Sequence, residues 1–129
     1  KKEWAFPLKV NAKDIKSSKQ VILVESIGDM LALRENGINN CIVSFGLNLS
    51  SKIVYSLIGY NPKKIIIAFN DDSFNNSAGN MAAESAEQKL LNYFDRNQIE
   101  IKLPFGAKDF GEMHLKDRSL ISNWYNSIQ

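Results

Sequence analysis

Two short segments, Val21-Ile22-Leu23-Val24 and Ile65-Ile66-Ile67-Ala68-Phe69, are unbroken apolar runs rich in β-branched residues. A strand with one wet face alternates apolar with polar residues. A run without alternation is a strand covered on both faces, as in a parallel sheet between layers of helix. Two weaker runs, 40–43 and 100–103, join 20–24 and 64–69 to make four strands in all. Helices are predicted between them. Residues 28–36 place Met30, Leu31 and Leu33 on an apolar face that Gly37 stops. Residues 50–57 open on Ser50 and Ser51 as caps and end before Gly59-Tyr60-Asn61-Pro62. Over 79–94, Ala83, Ala86, Leu90 and Phe94 recur at intervals of three and four. The expected fold class is therefore α/β, a mainly parallel four-stranded sheet with helices on both faces.

The ends are less regular. Residues 1–19 read as an extended, lysine-rich lead-in with room for one edge strand. Residues 20–115 read as the domain proper. Residues 116–129 read as a C-terminal segment with a helix over 119–128, whose stripe Leu120, Ile121, Trp124 and Ile128 packs on the core. A chain of 129 residues with 44% hydrophobic and 23% charged residues fits one globular domain, and excludes a disordered, collagenous or disulfide-knotted chain. No apolar run reaches the roughly 20 residues of a membrane span. The Lys1–Pro7 start lacks the apolar core of a signal peptide and an initiator Met, so a fragment of a longer protein is expected. The single cysteine, Cys41, fits a reducing cytoplasm and excludes a cysteine-based zinc site. A net charge of +2 permits a nucleic-acid partner without arguing for one.

In an open parallel sheet, ligands bind at the carboxyl ends of the strands. Glu25 follows the first strand directly, with Asp29 four residues on. Asn70, Asp71 and Asp72 follow the third. Lys108 and Asp109 follow the fourth, past Pro104 and Gly106. Any one acid after a strand is ordinary turn or cap chemistry. Acids from three segments at one edge repel one another, and a hard divalent cation relieves that cost. Phosphoryl or nucleotidyl transfer is the reaction class that uses such a centre.

These residues resemble the Toprim domain, the metal-binding fold shared by bacterial-type primases, topoisomerases of types IA and II, and some nucleases. Val21-Ile22-Leu23-Val24-Glu25-Ser26 is similar to its first motif, an apolar strand ending in Glu-Gly. Ile65-Ile66-Ile67-Ala68-Phe69-Asn70-Asp71-Asp72 is similar to its second, ending in Asp-x-Asp. Within the family the likeness is closest to T7-type phage DNA primase–helicases, through Glu25-x-x-x-Asp29, Ser44-Phe45-Gly46, Lys108-Asp109-x-x-Glu112-x-His114 and the upstream Phe6-Pro7. Two positions depart from the pattern: Ser26 stands where glycine is expected, and Asn70 stands at the first Asp. An extra loop, Ser73-Phe74-Asn75-Asn76-Ser77, precedes Ala78-Gly79.

The resemblance implies a Mg²⁺- or Mn²⁺-dependent nucleotidyltransferase domain that makes RNA primers on single-stranded DNA from nucleoside triphosphates, inside a longer cytoplasmic protein with further primase or helicase domains. It implies Glu25 as general acid or base. Asp29, Asn70, Asp72 and Asp109 would hold the metal. Lys108, Ser44 and Gly46 would contact phosphate. The chain alone is expected to be a monomer, off the membrane, and inactive without its template-reading parts. The alternatives are a degenerate Toprim module that binds nucleic acid or partner domains without chemistry, for which Asn70 argues, and a Toprim-type nuclease. A receiver-like domain fits less well, because it needs a pair of acids after the first strand and only Glu25 stands there. His114, Cys41, Trp4 and Trp124 are expected to pack rather than react.

Overall fold

The computed structural model describes residues 9–44, 49–71 and 78–129. Its order is α1 (Lys9–Ser18), β1 (Gln20–Val24), α2 (Ile27–Glu35), β2 (Cys41–Val43), α3 (Ser51–Tyr60), β3 (Lys64–Ile67), α4 (Ala78–Leu90), β4 (Ile99–Ile101), α5 (Phe110–Lys116) and α6 (Arg118–Ser127), with a 3₁₀ turn, Arg96–Gln98, ahead of β4. The four strands form one wholly parallel sheet in the order β2-β1-β3-β4. Ile22 pairs with both Cys41 and Ile66, so the central strand β1 is held from both sides.

The unbroken apolar runs have the expected meaning. Val21 and Leu23 of β1, with Ile65, Ile67 and Phe69, point into one core under α1, α3 and α4. Ile22 and Val24, with Ile66 and Ala68, point into a second core under α2, α5 and α6. Every residue of β1 from Val21 to Val24 is fully buried. At about 1.5–3 kcal/mol for each large apolar side chain moved out of water, this two-sided burial is the main force holding the sheet.

Several elements differ from the sequence reading. The lead-in expected to be extended holds a helix, α1: Ile15 fills the first core, and Asn11 donates its side-chain amide to the Cys41 carbonyl at 3.2 Å. The lysine-rich composition hid the few buried positions that dock this helix. Leu31, expected on the apolar face of α2, is 49% exposed, while Ala32 is buried with Met30 and Leu33. Helix α4 ends at Leu90, and Phe94 packs on the first core from the turn that follows. Helix α5 was not expected at all. Gly37 does stop α2. At φ +78° it takes the left-handed region, and Ile38 and Gly37 donate back to Leu33 and Arg34. Among the described residues no helix is long and apolar enough to cross a membrane.

Candidate functional site

The parallel topology brings the ends of β1 and β3 side by side, and Glu25 and Asn70 meet there. The Glu25 carboxylate accepts the backbone N–H of Asn70 at 2.8 Å, and both residues are half-buried. One residue further, the Asp71 N–H donates to the Lys108 carbonyl at 2.7 Å, tying the end of β3 to the loop that carries Asp109. Asp71 is half-buried. Ser44 is buried at the end of β2 and extends the ladder through its N–H to the Val24 carbonyl at 2.8 Å.

Asp29 and Asp109 form the other half of this edge. Ser26 caps α2 with extended backbone, φ −137° and ψ 162°, where glycine has no advantage. Its hydroxyl accepts the Asp29 N–H at 3.3 Å and donates to the Asp29 carboxylate at 3.1 Å. The departure from the Glu-Gly pattern is therefore also a helix cap. The other Asp29 oxygen accepts the Phe110 N–H at 3.1 Å, joining α2 to the start of α5. Asp29 is 3% exposed. Burial, and next the nearby Asp109 carboxylate, push its pKa above the usual carboxylate value, while hydrogen bonds from Ser26, Gly111 and Phe110 pull it back.

Asp109 is the N-cap of α5. Its carboxylate accepts the Glu112 N–H at 2.8 Å, and the Glu112 carboxylate reaches back to the Lys108 N–H at 2.9 Å. The Lys-Asp-x-x-Glu spacing thus starts a helix. That D-x-x-E pattern is a helix-start signal that the sequence reading did not use. His114 on the same helix approaches the Asn36 amide at 3.4 Å, a packing contact as expected. Cys41 is buried, and burial raises its thiol pKa far above the usual range. Trp124 is also core: its ring meets Phe110 edge-on at 4.7 Å, and its indole N–H is shared between the carbonyls of Lys102 and Leu103. This anchor was missed as a contributor to the site, because only the fold shows that it holds α5 in place. Lys108 is exposed. Asp72, Gly46, the 73–77 loop, Trp4 and Phe6-Pro7 lie outside the described residues.

Among the described residues no three Asp, Glu, His or Cys side chains group closely enough to hold a metal ion. One observation bears on the fit of a hard cation. The side-chain oxygen of Asn70 is buried and accepts no hydrogen bond. An unpaired buried acceptor costs about 1–3 kcal/mol, which a cation can offset. With Glu25 adjacent, the donors are all oxygen, the chemistry Mg²⁺ takes. The residues present fit the ion.

Fold and site together define a doubly covered, parallel α/β domain with acidic groups gathered at its carboxyl edge. The sequence pattern of the Toprim domain matches residues 19–101, and the chain belongs to the Toprim family. A DNA primase of Synechocystis sp. is 31% identical over 103 residues; that match takes in 80% of this chain and 16% of the relative. The Aquifex aeolicus primase, solved as its zinc-binding and RNA polymerase domains, superposes with a TM-score of 0.68 at 25% identity, over 91% of this chain and 28% of that one. A DnaG primase catalytic domain bound to single-stranded DNA superposes with a TM-score of 0.71 over 95% of this chain and 38% of the other; at 21% identity that likeness concerns the fold.

Proposed function

We propose that the chain is the metal-binding catalytic domain of a primase-type nucleotidyltransferase, acting within a longer protein on single-stranded DNA and nucleoside triphosphates. The observation that carries this reading is the direct contact of Glu25 with Asn70, which joins the two motif-bearing strand ends beside an unpaired buried oxygen. Likeness to bacterial primases supports the choice of reaction. The finer assignment to T7-type phage primase–helicases rests on sequence pattern: Glu25-x-x-x-Asp29, Ser44-x-Gly46, Lys108-Asp109-x-x-Glu112-x-His114 and Phe6-Pro7.

Glu25, Asn70 and Asp72 would hold Mg²⁺ or Mn²⁺, with Asp109 reached through water. Bound there, the ion supplies charge stabilisation at the attacking and leaving oxygens. Glu25 would take the proton of an attacking 3′-hydroxyl. Asp29, whose oxygens are engaged by Ser26 and Phe110, serves the centre by fixing where Asp109 stands. Lys108, Ser44 and Gly46 would contact the phosphates, Lys108 as an exposed point charge.

Paramagnetic line broadening tests this. Mn²⁺ should broaden the amide signals of Glu25, Asn70 and Asp71 first, and Glu25→Gln should weaken the effect. Broadening that begins elsewhere, or none at all, would favour a binding module without chemistry. Asn70, with one charge fewer than the family's aspartate, is the observation in favour of that second reading.

A further inference from the structure

The amino edge of the sheet, opposite the carboxylates, has an architecture of its own. Two adjoining clefts of about 330 and 290 Å³ open there, and both are lined by Lys19 and Lys63. Lys64 lines the second cleft, beside Tyr125 of α6, while Asn61 lines the first. No lining side chain of either cleft carries a carboxylate. Glu100 pairs with Lys64 at 3.3 Å, so the cations left to this edge are Lys19 and Lys63. Among the described residues the ammonium groups of Lys19 and Lys63 have no ion pair.

The backbone here is built, not loose. Lys19 sits at φ +60°, a left-handed conformation that disfavours any residue with a Cβ. It is held there because its carbonyl accepts the N–H groups of both Lys63 and Lys64, at 2.8 and 3.2 Å. The turn between α1 and β1 is thereby locked to the start of β3, and two lysines leave the same point. The C-terminal ends of α1 and α3 reach this edge, where the Lys19 N–H donates to the Ile15 carbonyl and the Asn61 N–H to the carbonyls of Leu57 and Ile58. Glycine would suit the Lys19 backbone better. A strained position occupied by a long cation points to a use for the cation.

We propose that this edge binds the phosphate backbone of a single-stranded nucleic acid. Two clefts sharing their lysines suit a repeating anion better than one isolated phosphate. Lysine ammonium groups hold phosphates without reading sequence. Tyr125 adds an aromatic face on which a base stacks. The five residues of β1 separate this edge from the carboxylates by roughly 16 Å, so the site is distinct from the metal centre and does not depend on it.

Fluorescence anisotropy with labelled oligodeoxythymidylate, at low salt and in EDTA, reads binding without metal at the carboxyl edge, and the lysine variants assign it to this site. Lys63→Gln and the double variant Lys19→Gly/Lys63→Gln should bind progressively more weakly. The double variant should lose about tenfold in affinity, and its log–log salt slope should fall by about 1.4, or roughly 0.7 for each phosphate no longer neutralised. Lys19→Gly alone should raise the melting temperature by relieving the backbone while still weakening binding, which separates lost binding from lost folding. Lys13→Gln, on the exposed side of α1, should change nothing. Equal losses in Lys13→Gln, or an unchanged salt slope in the double variant, would overturn the proposal. So would a polyglutamate peptide that competes as well as the oligonucleotide, which would mean an acidic protein partner. Failure here would leave the Mn²⁺ result untouched, and failure there would leave this one.

Discussion

The two halves of the carboxyl edge are held in different ways. The Asp29–Asp109 half is cemented. Asp29 is buried and bonded to Ser26 and Phe110, Asp109 caps a helix, and behind them Phe110, Met113 and Trp124 are fully buried. In the Glu25–Asn70 half the Asn70 N–H donates to the Glu25 carboxylate at 2.8 Å, and the Asn70 amide oxygen is left unpaired. Both halves carry acids at strand or helix ends, and the sequence treats them alike. Their surroundings do not. A carboxylate whose oxygens are spent on the protein, as at Asp29, sets geometry, and the unpaired Asn70 oxygen is available to a ligand.

The sharpest way to break this contrast is to remove the cement. Trp124 is fully buried, touches Phe110 and gives its indole N–H to two carbonyls beyond β4. Trp124→Ala should cost about 4 kcal/mol in urea denaturation, from forfeited transfer free energy and the cavity left behind. In the folded fraction, the amide shifts of Asp109 and Phe110 should move while those of Glu25 and Asn70 stay. Equal displacement of both halves would mean that they are one unit.

Substitutions at Asp29 separate shape from charge. Asp29→Ala leaves the Phe110 N–H without an acceptor and should cost about 2 kcal/mol. Asp29→Asn keeps an acceptor for Phe110, and Ser26 can turn its hydroxyl to accept from the new amide. It also removes a charge that burial and Asp109 disfavour, so it should be neutral or stabilising at pH 7. The pH dependence has a definite sign. The native pKa lies above its ordinary value of 3.8, so between the two values the native state binds more protons than the unfolded state. Stability contributed by this group therefore falls as pH rises through that window and is level above it. The melting temperature of Asp29→Asn, relative to wild type, should gain least below about pH 4 and most at neutral pH. A gap that widens in acid would show that hydrogen bonds outweigh burial at this carboxylate.

Much of this was legible in the chain and some was not, for physical reasons. β1 could be read to the residue, because two-sided burial demands an unbroken apolar run and Glu25 ends it. The placement of Glu25, Asn70 and Asp109 at one edge followed from topology alone. Helix α1 was hidden because Ile15 and Asn11 are its buried anchors within a lysine-rich stretch, too few to make a period. Helix α5 is seven residues long with Gly111 near its start, and tertiary contacts through Phe110 and Met113 stabilise it more than propensity does. The division of labour between Asp29 and Glu25 could not be read, since burial of a polar side chain is a property of its neighbours in space.

Asn70→Asp tests the looser half with the smallest expected change. A neutral amide replaced by a carboxylate at ligand distance adds a full charge where a dipole stood, so Mg²⁺ or Mn²⁺ should bind more tightly by about 1 kcal/mol, roughly fivefold, for one added charge in a wet site. Opposing this, the new carboxylate repels that of Glu25, which accepts the Asn70 N–H at 2.8 Å. The repulsion lowers stability without metal and is relieved when metal binds. Both effects enlarge the metal-induced rise in melting temperature relative to wild type. Asp29→Asn, in the cemented half, should leave that rise nearly unchanged, because its oxygens already serve Ser26 and Phe110. Calorimetric titration and paired melts with and without Mg²⁺ measure both. If Asn70→Asp and wild type bind the ion equally, the Asn70 side chain does not face it, and the centre must then be built on Glu25 with donors other than the first position of the Asp-x-Asp pattern.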